Sequence, residues 1–135
     1  MKDLVVLTVE DSDAFAHAME LAIEEAGLAV RLFRVQDGEE AMHFLRHEAG
    51  FHTSPTPDLI FLDLNLPRMT GFDVLAEMKH DVNLEGIPTV VLTSSSAPSD
   101  RARSMALGAN DYILKPTDFD RLLSTVTKTC QRYTH

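Results

Sequence analysis

The run Asp58-Leu59-Ile60-Phe61-Leu62-Asp63-Leu64-Asn65-Leu66-Pro67 constrains the fold of this chain more than any other stretch. A continuous Leu/Ile/Phe run reads as a strand buried on both faces, which is the habit of a parallel sheet covered by helices. Asp63 then falls at the carboxyl end of that strand. In open α/β sheets this is the edge where ligands bind. Taken alone, Asp63 reads as the cap of the turn that follows, so its meaning has to come from the rest of the chain.

The flanking segments alternate. Leu4 to Val9 is apolar except for Thr8 and rich in β-branched residues, then breaks into Glu10-Asp11-Ser12-Asp13, so a first strand delivers acids at its carboxyl end. Phe15, Met19, Ala22, Ile23 and Ala26 recur at helical spacing, and Gly27 supplies the stop. Ala29 to Val35 reads as a second strand. Asp37-Gly38-Glu39-Glu40 has capping-box spacing ahead of a helix through Ala41, Phe44 and Leu45, and residues 51–57 form a proline-bearing loop. Past the central strand, Thr70-Gly71-Phe72-Asp73 starts a third helix with Val74, Leu75 and Met78 inward. Ile87 to Thr93 is a fourth strand. Pro98 opens a fourth helix with Ala102, Met105, Ala106 and Leu107 inward and Gly108 as its stop. Asp111 to Leu114 is a short fifth strand, and Thr117-x-x-Asp120 is expected to cap a last helix carrying Leu122, Leu123, Val126 and Thr127 inward. Five strands alternating with five helices predict right-handed βαβ units and a doubly wound parallel sheet.

One domain over residues 1–135, with no effector domain, is the expectation from length. Twelve Lys and Arg against 21 Asp and Glu give a net charge of −9, a field that repels nucleic-acid phosphate and anionic lipid. The lone cysteine, Cys130, has no internal partner, the first residues lack the zones of a signal peptide, and no apolar stretch approaches the ~20 residues of a membrane span. The chain is expected in the cytoplasm, with no direct contact to nucleic acid or membrane.

In a parallel sheet Glu10-Asp11, Asp63, Thr93 and Lys115 all lie at carboxyl ends and meet on one edge. Three clustered carboxylates repel one another and are driven to protonate unless a cation sits among them. Oxygen ligands without His or Cys select Mg²⁺ or Mn²⁺ over zinc.

This order of residues resembles the receiver domain of two-component response regulators over essentially the whole chain. The acid pair follows the first strand, Asp63 the third, Thr93 the fourth and Lys115-Pro116 the fifth. The stretches Asp63-Leu-Asn-Leu-Pro-Arg-Met-Thr-Gly, Val91-Leu-Thr-Ser-Ser-Ser and Gly108-Ala-Asn-Asp-Tyr-Ile-Leu-Lys-Pro, with Asp118-Phe, look most like stand-alone receivers associated with phytochrome-type histidine kinases. The chain departs from the common pattern at Thr70, where Asp usually precedes the glycine; Thr also caps helices.

The resemblance implies a flavodoxin-like strand order 2-1-3-4-5. It also implies that Asp63 is the phosphoacceptor, taking a phosphoryl group from a sensor histidine kinase, with a bacteriophytochrome as the candidate kinase. Glu10, Asp11 and Asp63 would hold Mg²⁺ with the backbone carbonyl of Asn65. Lys115 would pair with a phosphoryl oxygen, Thr93 would take another, and the Lys115-Pro116 bond is expected cis. Thr93 and Tyr112 would form the switch, and the face of the fourth helix, fifth strand and last helix would carry homodimerisation or docking. The protein is then a signalling phosphoacceptor rather than a turnover enzyme.

Each residue has a plainer reading. Glu10 and Asp11 could cap a helix, Thr93 could be an ordinary strand residue, Lys115 a surface charge and Tyr112 a strand filler. Independent plain readings do not place all of them on one edge. His43 and His47 at i and i+4, with His52 beyond, superficially suggest a metal, but exposed helix histidines are commoner. A phosphohydrolase of the haloacid dehalogenase type would also use an Asp at a strand end with Mg²⁺. It wants a second Asp two residues on as general acid, where this chain has Asn65. A flavodoxin-like binding module would open its first strand into a glycine- and hydroxyl-rich phosphate loop rather than into acids.

Overall fold

The computed structural model describes residues 3–134. Strands β1 (Leu4–Val9), β2 (Val30–Val35), β3 (Leu59–Leu62), β4 (Thr89–Thr93) and β5 (Asp111–Leu114) form one parallel sheet in the order β2-β1-β3-β4-β5. Helices α1 (Asp13–Ala26), α2 (Gly38–Leu45), α3 (Gly71–Lys79), α4 (Pro98–Ala106) and α5 (Phe119–Arg132) alternate with them. The expected alternation and strand order are both present.

The central strand is apolar at every position because both of its faces are covered. Leu59 and Phe61 pack with Met19, Ala22 and Ile23 of α1 and with Leu122, Val126 and Cys130 of α5. Ile60 and Leu62 project to the other side, among Ala41, Phe44 and Leu45 of α2 and Val74, Leu75 and Met78 of α3. All four strand side chains are at most 1% exposed. Burial of each is worth about 1.5–3 kcal/mol, so β3 fixes the sheet's position between the two helical layers.

Local signals set most boundaries. Ser12 Oγ accepts the Phe15 N–H to start α1, and Gly27 ends it at φ 65°. Thr70 and Asp73 form a reciprocal capping box on α3. Two expected caps differ in detail. Asp37 accepts the Glu40 N–H, but the Glu40 carboxylate takes the Gln36 N–H, so only half of that box closes. The last helix is capped by Asp118, which accepts the Arg121 N–H, and not from Thr117. A carboxylate one residue further on is the better N-cap and also favours the helix's positive end.

The fourth helix departs most from expectation. Ala102, Met105 and Ala106 are exposed and only Ser104 is buried. Two alanines and one methionine, set among Arg, Ser and Asp, offer too little apolar surface to bury a stripe. Polar and cationic ties hold α4 instead. Lys79 Nζ donates to the Ala106 carbonyl at 2.9 Å, Arg101 Nη1 to the Tyr112 carbonyl at 3.3 Å, and Arg103 lies over the Phe72 ring at 4.0 Å.

Gly71 opens α3 directly against the strand end. A Cβ there would collide with the Asp63 carbonyl oxygen and the Leu64 Cα, whereas one at Gly86 would meet nothing within 4 Å. Gly71→Ala is expected to cost about 1–3 kcal/mol in urea unfolding, the usual range for overpacking, while Gly86→Ala changes little.

Candidate functional site

The sheet ladder runs one residue past three strands and so fixes the site. Glu10 N–H donates to the Val35 carbonyl at 3.0 Å, Asp63 N–H to Val9 at 3.2 Å, and Lys115 N–H to Thr93 at 2.8 Å. Each functional side chain therefore leaves the edge from backbone already held by a neighbouring strand. Ligand oxygens of Glu10, Asp11 and Asp63 all lie within 4.8 Å of one another. Among the described residues, this is the only group of three or more potential metal ligands.

Lys115 is the counter-ion. Its Nζ is 2.9 Å from Glu10 Oε1 and 2.8 Å from Asp63 Oδ2. The Glu10 and Asp63 side chains are 3% and 5% exposed and Lys115 is 15% exposed, so these pairs are little screened. The remaining oxygens also have donors: Ser12 N–H at 3.1 Å from Glu10 Oε2, and Asn65 N–H at 3.2 Å from Asp63 Oδ1. Asp11 and Asn65 are exposed. Thr93 is fully buried, its Oγ1 accepting a long 3.5 Å bond from Ser95 N–H. Tyr112 is buried one strand over, and its hydroxyl donates to the Ser95 carbonyl at 2.7 Å.

One expectation fails, and the histidine pattern set aside above does not form a site. The Lys115-Pro116 bond, expected cis, is trans, and no cis peptide occurs among the described residues. Trans is the lower-energy isomer of an X–Pro bond by about 0.5–1 kcal/mol. In that form Lys115 already reaches both carboxylates. The histidines do not share a helix face, because α2 ends at Leu45 and His47 lies beyond it at φ 58°, with Nδ1 3.3 Å from Ser54 Oγ.

A family model for the response regulator receiver domain matches residues 6–127. This chain belongs to that family. Response regulator Rcp1 of Synechocystis sp. is 38% identical over 122 residues, 90% of this chain and 83% of Rcp1. The probable methanogenesis regulatory protein FilR2 of Methanothrix harundinacea is 37% identical over 90% of this chain and 78% of its own length. The crystal structure of the phosphorylated cyanobacterial phytochrome response regulator RcpA matches with a TM-score of 0.91 at 36% identity, covering 97% of this chain and 94% of that one. The Mn²⁺-bound form of Rcp1 matches at a TM-score of 0.85 and 38% identity, covering 93% and 90%.

The receiver is thus the signalling module of a two-component pair, with a histidine kinase as the implied partner. Receivers bind a divalent metal, and the donor set here fits one: three hard carboxylates and no soft ligand. Three residues that no sequence signal marks as functional belong to this receiver's site. Phe15 lies 4.6 Å beneath the Lys115 ammonium, Ser95 receives the Tyr112 hydroxyl, and Arg34 Nε donates to the Glu10 carbonyl at 3.0 Å. Helical spacing marked Phe15 only as a packing residue. Ser95 and Arg34 act through neighbours that only the folded sheet supplies.

Burial raises the Glu10 pKa, outweighing the Lys115 and Ser12 hydrogen bonds that lower it, and the Asp63 charge adds to the rise. For Lys115 burial works to lower the pKa, but its bonds and attraction to Asp63 and Glu10 together raise it. The two shifts look opposed for one ion pair. The difference is that the ammonium faces two carboxylates, whereas Glu10 is the drier partner and also faces Asp63.

The folded state holds the Glu10 proton more tightly than the unfolded chain, so Glu10's contribution to stability falls as pH rises through the ordinary glutamate range up to the raised value. In metal-free protein, the melting temperature of wild type relative to Glu10→Gln should therefore decline across that interval.

Proposed function

We propose that this receiver takes a phosphoryl group from a phosphohistidine of a sensor histidine kinase onto Asp63, and signals through a change of surface. The observation that carries this reading is the convergence of Lys115 Nζ, Glu10 and Asp11 on the Asp63 carboxylate at the carboxyl edge of the sheet. A carboxylate oxygen of Asp63 forms the new O–P bond as the N–P bond to the kinase imidazole breaks, and the departing imidazole nitrogen takes a proton from water. Asn65 N–H on Oδ1 holds the nucleophile's plane. Lys115, already on Oδ2, can follow charge onto a phosphoryl oxygen without leaving its pocket. Glu10, Asp11, Asp63 and the Asn65 carbonyl would hold Mg²⁺, which when bound supplies positive charge against the phosphoryl oxygens. The protein catalyses only its own phosphorylation and dephosphorylation.

Residues 1–135 serve as one receiver module, and the reading carries a cytoplasmic location, where the kinase's ATP is available. A net charge of −9 supports the absence of direct nucleic-acid binding. Among the described residues no helix is long and apolar enough to cross a membrane. An apolar cleft lined by Phe15, Ala18, Pro116, Phe119 and Leu122 adjoins the site and suits a docking kinase helix. Output goes through the face of α4, β5 and α5, by homodimerisation or partner docking. Met105 and Leu114, at 41% and 49% exposure, support that choice.

Acetyl phosphate with Mg²⁺ is expected to add one phosphate, seen as a single mass increment that chelation or Asp63→Asn abolishes. Equal labelling of the Asn variant would show another acceptor.

Thr93 and Tyr112 form the switch in this reading. A phosphoryl oxygen on Asp63 gives the Thr93 hydroxyl a charge-assisted partner better than its long bond from Ser95, and the inward Tyr112 ring is one of the two coupled positions. Such a bond is worth about 1.5–3 kcal/mol, which changes the population ratio by about one to two powers of ten. Thr93→Ala should accept phosphate yet lose most of the beryllofluoride-induced chemical-shift change at Tyr112 and along α4. An undiminished response in NMR spectra of the variant would assign Thr93 a strand role only.

A further inference from the structure

We propose that Arg34 of β2 is a positioning residue for the metal site, holding the backbone that carries Glu10 and Asp11 from the neighbouring strand. This rests on the acid cluster being the metal site. In a parallel ladder each residue at an interior position receives a donor on its carbonyl from the adjacent strand. Glu10 still donates its own N–H to the Val35 carbonyl at 3.0 Å, but β2 ends at Val35 and the chain turns into α2 at Gly38. The donor that reaches the Glu10 carbonyl is a side chain, Arg34 Nε at 3.0 Å. The same guanidinium donates from Nη1 to Asp13 Oδ1 at 2.8 Å, on the first turn of α1. One planar group thus spans both ends of the turn Glu10-Asp11-Ser12-Asp13, and Asp11 lies inside the span.

The rest of the guanidinium indicates how firmly it is held. Arg34 Nη2 is buried and has no hydrogen-bond partner. A desolvated N–H without an acceptor costs free energy that an arginine could recover by swinging into water. The side chain stays because its other two nitrogens are engaged, and the Asp13 pair is a weak reason on its own: the Asp13 side chain is 88% exposed, against 25% for Arg34. The bond to the Glu10 carbonyl is the more buried of the two, and it acts on the backbone of a ligand.

The charge of Arg34 gives the proposal an unambiguous sign. By field alone a guanidinium beside the cluster repels a cation, so deleting it would tighten metal binding. By positioning it does the reverse, because Glu10 and Asp11 converge on Asp63 only while the turn is held. Groups that hold a metal ligand in place by hydrogen bonding behind it are worth about 10–100-fold in metal affinity.

Mn²⁺ binding to the purified chain, followed by the EPR signal of free Mn²⁺, separates the two, with circular dichroism confirming the fold of each variant. Arg34→Ala is expected to weaken Mn²⁺ about tenfold. Arg34→Lys, which keeps one charged donor, should recover part of the loss, and Asp13→Asn should leave affinity unchanged. If Arg34→Ala does not fold, Arg34→Gln carries the same comparison. Unchanged or tighter Mn²⁺ binding by the Ala or Gln variant would overturn the proposal, as would a loss in Asp13→Asn equal to that of the arginine variant. A wild-type chain that binds no Mn²⁺ would instead overturn the metal-site reading, and this proposal with it.

Discussion

The Lys115 ammonium, 2.8 Å from Asp63 and 2.9 Å from Glu10, holds together a site whose own charges would otherwise separate it. Buried carboxylates with oxygens within 4.8 Å of one another, Glu10 and Asp63, repel by about 3.5 kcal/mol at an effective dielectric of ~20, and the exposed Asp11 adds less. That exceeds what an exposed ion pair contributes, about 0–1 kcal/mol, so surface charges elsewhere could not stabilise the cluster. A buried amine with two partners can. Removing one partner from such a network leaves uncompensated buried charge, typically a loss of about 3–5 kcal/mol. The site is thus poised: it needs positive charge at all times, and a divalent cation or a phosphoryl group changes how the lysine's share is divided.

The fold supplies this edge through rigidity on one side and looseness on the other. The side chains of β3 and β4 are buried along their length, with helices on both faces, and the ladder continues past β1, β3 and β5 to fix Glu10, Asp63 and Lys115. The α4 helix is different. It has one buried side chain, no side-chain N-cap, and ties made by Lys79, Arg101 and Arg103. Few buried apolar contacts mean a low cost of local displacement. The helix that follows the Thr93 strand end is therefore the one least able to resist a change there.

Much of this was legible in the sequence. The strand–helix alternation, the central strand and the acids, hydroxyl and amine at strand ends are all signals within a few residues of one another, and the structure has them in place. Failures cluster where a local pattern met a tertiary competitor. Met105 and Ala106 look inward by spacing but are exposed, on a helix whose one buried side chain is Ser104. His43 and His47 look paired by number, but α2 stops between them. Glu40 was positioned to complete a capping box and instead satisfies Gln36. Pro116 was expected to aim Lys115 by a cis bond, and the trans chain reaches the carboxylates anyway.

The sequence by itself determined which residues arrive at the carboxyl edge, because burial on both faces dictates continuous apolar strands and parallel connections put every strand's end on one side. It also determined the cation's chemistry, since the donors delivered to that edge are hard oxygens. Only the tertiary structure decided how the charges are shared: that Lys115 bridges Glu10 and Asp63, that Phe15 lies beneath it, and that Arg34 reaches across from β2 to the Glu10 carbonyl. The reason is that these contacts join residues 24 to 105 positions apart or depend on side-chain directions set by neighbouring strands, as with the 24-residue separation of Arg34 and Glu10. Periodicity carries no information at that range.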